Sequence, residues 1–166
     1  MATGIFAGSF DPFTTGHLDI VERAARVFSE VYVAVLNNSQ KRCAFSPQER
    51  VAQVDRAVSA LPNVSVISFN GLLVECMREH NIDCTIRGIR SAADFDYERG
   101  MAQVNSQLWP EMDTVVFLAR PRYMHISSSI VKELASYGAC IDGLVPKVNE
   151  SEIVERMRNN GRERGF

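Results

Sequence analysis

Thr3-Gly4-Ile5-Phe6-Ala7, continued by Gly8-Ser9-Phe10-Asp11-Pro12-Phe13-Thr14-Thr15-Gly16-His17 and then by the spaced apolar residues Leu18, Val21, Ala25 and Phe28, decides the fold of this chain. Residues 3–7 are nearly continuous in apolar and β-branched character, as a strand buried on both faces must be. The last four residues recur at helical spacing. A glycine-bearing loop joins the two, so the chain opens as strand, loop, helix.

The alternation then repeats. Residues 31–36, 64–68, 83–86 and 114–118 read as further strands, and helical spacing recurs at Val51, Val54 and Val58, at Leu73 and Met77, and less regularly over 93–108. Ser46-Pro47-x-Glu49 has the form of an N-cap with proline at the first helical position, and Ser127 to Ser129 precede the spacing Ile130, Leu134. Joined by right-handed crossovers, such a series predicts an α/β fold: a doubly wound, Rossmann-like, five-stranded parallel sheet with helices on both faces. Ligands of such a sheet bind beyond the carboxyl ends of its strands, at the switch point. After Pro146 a short amphipathic helix is expected over about 151–159, ending at Gly161, with a frayed tail over 162–166.

The 166 residues, 46% of them hydrophobic, suit a single domain over 1–166 whose core needs neither disulfides nor a structural metal. Eighteen basic against twenty acidic side chains leave a formal charge of −2. No global positive field draws in a nucleic-acid backbone or an anionic membrane, so neither is an expected partner and any anion site must be built locally. The longest apolar runs, 31–36 and 115–119, are six and five residues. A membrane span needs about 18 or more. The first basic residue is Arg23, so no secretory signal is expected and the location expected is cytoplasmic. Cys43, Cys76, Cys84 and Cys140 match neither zinc-ribbon nor dithiol redox spacing and are expected to be reduced and mostly buried.

The loop 8–17 is the densest unusual stretch. Gly8 and Gly16 lack a Cβ and could let a phosphate approach the main chain, while N–H groups at the start of the helix point at the same space. The alternative is a plain turn closed by Asp11-Pro12 ahead of an N-capped helix. The position of the loop at the mouth of the first strand favours the anion site. The G-x-G-x-x-G dinucleotide fingerprint and the glycine-rich lysine loop are both missing. His17, in the opening turn of a helix, is expected to be a neutral hydrogen-bond donor suited to phosphoryl chemistry, although a lone histidine, like His80 or His125, is often only a solvated surface residue.

Basic residues recur at the ends of other strands: Lys41 and Arg42 after the second, Arg87 and Arg90 after the fourth, Arg120 and Arg122 after the fifth. In a doubly wound sheet these converge on one rim and would suit a polyanionic small molecule, although exposed loops are commonly rich in Lys and Arg. Ile126-Ser127-Ser128-Ser129 adds three hydroxyls at a helix start, which either hold an oligophosphate or simply cap the helix.

Taken together, the motifs resemble those of the T/H-x-G-H nucleotidyltransferases, and within them the phosphopantetheine adenylyltransferase family. The likeness rests on G-S-F-D-P-F-T-T-G-H at 8–17, Lys41, I-R-G-I-R-S-A-A-D-F-D-Y-E at 86–98 and Y-M-H-I-S-S-S-I-V-K-E at 123–133. The resemblance implies that ATP and 4′-phosphopantetheine become dephospho-coenzyme A and pyrophosphate, with Mg²⁺, a homohexameric assembly, and coenzyme A as a candidate feedback ligand. It places Ser9, Lys41, Leu73 and Arg87 on phosphopantetheine. On ATP it places Ser9, Phe10, His17, Gly88, Ile89, Arg90, Glu98, Tyr123, Met124, His125, Ile126, Ser127, Ser128 and Ser129. Catalysis falls to His17 as transition-state stabiliser, with Lys41 and Arg90. Ser9 stands where relatives commonly carry threonine, a change that keeps the hydroxyl. No Asp, Glu, His or Cys cluster has the form of a protein-built metal site, so Mg²⁺ is expected to arrive on ATP. The rival readings are a nucleotidyltransferase for another phosphate, such as nicotinamide mononucleotide or glycerol phosphate, and a non-catalytic nucleotide-binding regulator.

Overall fold

Five strands, β1 (Thr3–Gly8), β2 (Glu30–Leu36), β3 (Val64–Phe69), β4 (Cys84–Ile89) and β5 (Asp113–Leu118), form one parallel sheet in the order β3-β2-β1-β4-β5. The computed structural model describes residues 2–37 and 42–163, the last four by their main chain only. Between and after the strands lie α1 (Thr15–Ala24), α2 (Pro47–Val58), α3 (Leu73–Glu79), α4 (Ala92–Leu108), α5 (Ser128–Ser136) and α6 (Lys147–Glu163), with a 3-10 turn at Pro121–Tyr123.

Alternation along each strand sorts the core into two layers. Phe6 faces one side with Val31, Val33 and Val35, packing on Ile20, Val21, Val54 and Val58 of α1 and α2. Ile5 and Ala7 face the other side with Ala34 and pack on Val74, Cys76 and Met77 of α3. Each large buried side chain adds roughly 1.5–3 kcal/mol, so a slip of one residue in any central strand would forfeit several such terms at once. The chain runs outward from β1 through β2 to β3, then crosses back to place β4 on the other side of β1. The loops after β1 and β4 therefore diverge, and a crevice opens beyond their carboxyl ends.

A third cluster forms where α5 and α6 meet: Val131, Ala135, Ile153 and Met157 close over Phe45 and Ile126. Polar contacts tie α6 to α2. Asn149, fully buried, donates from Nδ2 to the Gln53 carbonyl at 2.8 Å, and Arg156 pairs with Glu49 and donates to the Ala44 carbonyl at 2.9 Å.

Four local expectations change. The last helix starts at Lys147, not near 151, because Lys147 Nζ bonds Glu150 Oε2 at 2.7 Å and buried Asn149 anchors the first turn. Gly161 does not end it: the helix runs to Glu163, since one interior glycine costs only about 1 kcal/mol. Residues 164–166 of the expected tail lie outside the described residues. β4 starts one residue later and runs three further than expected, taking in Arg87, which pairs in register with Val116. Gly88 does not break the strand. A Cβ there would lie 3.2 Å from Ile20 Cγ1, so the glycine lets α1 pack closely.

α1 stops at Ala24, short of the periodic Phe28. Asn63 Nδ2 satisfies the Ala25 carbonyl at 2.9 Å and the Phe28 carbonyl at 3.2 Å, so the chain can turn there with Phe28 still buried. Of the four cysteines, all free thiols, only Cys76 and Cys84 are buried, and burial pushes each thiol up to about 11. Cys43 is half-buried and Cys140 exposed.

Candidate active site

Beyond the carboxyl ends of β1 and β4 lies a cleft of about 590 Å³, walled by the loop 8–14, the first turns of α1 and α5, and Arg42 and Cys43. It lies at the switch point.

His17 stands at the third position of α1 and closes a reciprocal cap with Thr14. Its Nδ1 accepts the Thr14 backbone N–H at 3.0 Å, so the ring proton sits on Nε2. Phe6, Phe10 and Phe13 surround the ring at centroid distances of 6.1, 5.2 and 5.5 Å. Burial, reinforced by the nearby Arg90 charge, lowers the His17 pKa from 6.5 to about 4. The imidazole is therefore neutral near pH 7 and offers one N–H to the cleft it lines. Phe10, buried and at φ 48°, serves as one wall of that ring. A Cβ on Gly8 would lie 2.9 Å from the Phe10 ring, so packing alone favours a glycine at this point of the cleft wall.

Four cations and two carboxylates line the cleft: Arg42, Arg87, Arg90 and Lys132 against Asp11 and Glu98. Glu98 takes Arg87 in a two-pronged pair, both contacts at 2.6 Å, and Arg87 Nη1 donates to the Ala7 carbonyl at 3.0 Å. A guanidinium has five N–H groups, so two remain for a ligand. Arg90 Nη1 donates to the Ile126 carbonyl at 3.0 Å, linking β4's end to the start of α5. Asp11, almost fully buried, accepts from the Ala44 and Phe45 amides at 3.0 Å and from Lys132 Nζ at 2.7 Å. Both carboxylates are thus engaged by protein groups.

Ser127 is the N-cap of α5, accepting the Ile130 amide at 3.2 Å, and Ser128 Oγ donates to the Pro12 carbonyl at 2.8 Å. The capping alternative therefore holds for Ser127. The serines still border the cleft, and a helix N-terminus opening there favours anions.

Most of the residues singled out in the sequence meet in this cleft: Ser9, Phe10, His17, Arg87, Gly88, Arg90, Glu98, Tyr123, Ile126 and Ser127 to Ser129 all line it. Lys41 lies outside the described residues. Leu73 packs on the Ile5 and Ala34 side of the sheet, and Ile89 is buried in β4. Met124 and His125 are exposed and do not line the cleft. Arg120 is taken by Asp19 at 3.0 Å and Arg122 stacks on Tyr123 at 4.6 Å, so the fifth strand contributes neither to the cluster. From the sequence Asp11 has only a turn-forming role, and neither Cys43 nor Lys132 is placed in a ligand site. Lys132 was findable: it stands four residues after Ser128, one helical turn along the same face.

The cytidylyltransferase-like family profile matches residues 5–134. The chain is 45% identical over 157 residues to a phosphopantetheine adenylyltransferase of Clostridium perfringens, covering 95% of this chain and 96% of that protein. It is 42% identical over 158 residues to the Clostridium botulinum protein of the same name, covering 95% and 99%. A solved structure from Vibrio parahaemolyticus, described as a nicotinate-nucleotide adenylyltransferase, superposes with a TM-score of 0.67 over 100% of this chain and 98% of that one. At 15% identity it shares the fold.

Proposed function

Because the chain belongs to the cytidylyltransferase-like family, in its phosphopantetheine adenylyltransferase branch, we propose that it transfers the adenylyl group of ATP to 4′-phosphopantetheine. The products are dephospho-coenzyme A and pyrophosphate, and the step is the penultimate one of coenzyme A formation. The observation that carries this reading is the convergence of a neutral His17, three arginines, Lys132 and the α5 serines on one crevice at the switch point.

The acceptor is a phosphate monoester whose second pKa near ~6 leaves it mostly dianionic at neutral pH, so it needs no general base. One of its oxygens attacks the α-phosphorus in line, the bond from that phosphorus to the bridging oxygen breaks, and pyrophosphate leaves with the bonding pair. Positioning two repelling anions and stabilising the charge that builds on the phosphoryl group do the catalysis. His17 Nε2–H meets the α-phosphoryl oxygen. The free N–H groups of Arg87, together with Lys41, hold the nucleophilic phosphate, and Glu98 orients Arg87 by its two-pronged grip. Arg90 and Ser127 to Ser129 take the β- and γ-phosphates.

Among the described residues no three of His, Cys, Asp and Glu gather as a metal site, and Asp11 and Glu98 are both occupied. That donor set suits Mg²⁺ carried in on the phosphates of ATP with its own waters. A cytoplasmic location is part of the proposal. Among the described residues no helix is long and apolar enough to cross a membrane. So is assembly into a homohexamer. α4 has no buried residue and exposes Phe95, Tyr97, Val104 and Leu108, beside Leu118 of the edge strand β5, an apolar face suited to other copies of the chain. Feedback by coenzyme A, which shares the pantetheine arm of the acceptor, would act in the same cleft.

Pyrophosphate release measured with Mg²⁺-ATP and each acceptor in turn tests the reading. It should be rapid with 4′-phosphopantetheine and absent with nicotinamide mononucleotide or glycerol phosphate. Turnover with one of the latter alone would assign another acceptor, and calorimetric ATP binding without any turnover would make the chain a regulator.

A further inference from the structure

Arg50 on α2 is only 1% exposed, yet among the described residues it has no ion pair. Residues 38–41, which follow the end of β2, carry no carboxylate either. One nitrogen, Nη1, donates to the Ser9 carbonyl at 2.5 Å and to the Leu36 carbonyl at 3.1 Å, while Nε is buried and has no partner among the described residues. Burying an ionised group without a counter-charge costs several kcal/mol, and an apolar side chain of similar volume would usually stabilise the fold as well or better. Packing alone therefore does not account for an arginine here.

Its two acceptors supply the reason. Ser9 follows the last residue of β1 and Leu36 is the last of β2, so the guanidinium ties together the carboxyl ends of two neighbouring strands at the rim of the cleft. Ser9 lines that cleft. A buried cation directly behind the Ser9 main chain also acts through a medium of low dielectric, where its attraction for a phosphate on the other side of the loop is screened less than at a surface.

We infer that Arg50 is a positioning residue of the anion cleft: it fixes the Ser9 main chain against β2, and its charge is balanced by the bound phosphate instead of by a protein carboxylate. The inference rests on the proposed function insofar as the cleft must bind phosphate anions.

The test is calorimetry with inorganic pyrophosphate as probe, on the full chain, with Arg50→Met, Arg50→Gln and Arg50→Lys, alongside the melting temperature of each. Arg50→Met should bind pyrophosphate at least tenfold more weakly, a change of about 1.4 kcal/mol, while Arg50→Lys, which keeps the charge, stays within about threefold of wild type. If Arg50→Met does not fold, Arg50→Gln, neutral but still a donor to Ser9, carries the comparison with the same expected loss. A merely structural role would lower the melting temperature and leave the affinity of the folded protein unchanged, and that result overturns the inference. Arg50→Lys binding as weakly as the neutral variants would overturn the charge-balance half of it. A wild-type chain that binds no pyrophosphate would instead defeat the proposed function.

Discussion

Replacing His17 by alanine should lower kcat by about a hundred- to a thousandfold while changing the KM for ATP by less than about threefold, because its Nε2–H acts on charge that builds only in the transition state. The structure fixes the parts of that estimate. Nδ1 is occupied by the Thr14 amide at 3.0 Å, so the ring can donate only from Nε2, and the depressed pKa near 4 keeps it neutral across the working range. The same value gives a second, independent readout. His17 titrates near 4 when folded and near 6.5 when unfolded, so the unfolded chain binds the proton more tightly and stability falls as pH drops from about 6.5 through 4. Integrated to pH 4.5, that linkage removes about 2.5 kcal/mol from the wild type, and His17→Ala is spared it. Steady-state pyrophosphate release gives the kinetic half, and urea unfolding at pH 7.5 and 4.5 the thermodynamic half. An unchanged kcat, or a stability gap between wild type and variant that does not narrow on acidification, would show that the His17 ring is not a buried neutral donor to the transition state.

Asp11→Asn should destabilise the chain by about 2–3 kcal/mol, because Lys132 loses its counter-charge and two amides lose an ionised acceptor. Calorimetric melting should show a drop of about 5–10 °C, and coupling with Lys132→Met in a double-mutant cycle above ~1 kcal/mol; additive losses would disprove the shared node. Arg87→Ala should raise the KM for 4′-phosphopantetheine tenfold or more and that for ATP far less, and equal weakening of both would show the arginine misassigned. Val104→Glu on the exposed face of α4 should shift sedimentation toward smaller species; an unchanged assembly would remove that face from the interface.

All five strands and the Ser46 cap were legible in the sequence because continuous apolar runs and local capping signals act over a few residues. A doubly wound sheet follows from right-handed parallel crossovers once strands and helices alternate, whereas the order β3-β2-β1-β4-β5 depends on tertiary packing that the strand patterns do not encode. What was illegible depended on distant partners. Arg87 reads as a loop residue beside Gly88, and only contact with Ala7 and Glu98 shows that it is a strand residue with its guanidinium locked. Leu73 reads as part of the helical spacing, and the structure packs it with Ile5, Ala34 and Met77, outside the residues that line the cleft. Arg120 reads as part of a cationic rim until Asp19, buried on α1, claims it. Arg50 carries no sequence signal at all, since helix spacing cannot say that a charged side chain will be sealed beneath the Ser9 loop. Asp11 reads as a turn former before proline, whereas its carboxylate gathers two amides and a lysine from 33 to 121 residues away.

Adenylyl transfer by this chain is read out by mass spectrometry of the small-molecule products after incubation with Mg²⁺-ATP and 4′-phosphopantetheine. Dephospho-coenzyme A and pyrophosphate should appear in equal amounts, with production cut about a hundredfold or more by His17→Ala. Unconsumed acceptor, or dephospho-coenzyme A formed as fast by the alanine variant, would contradict adenylyl transfer assisted by His17.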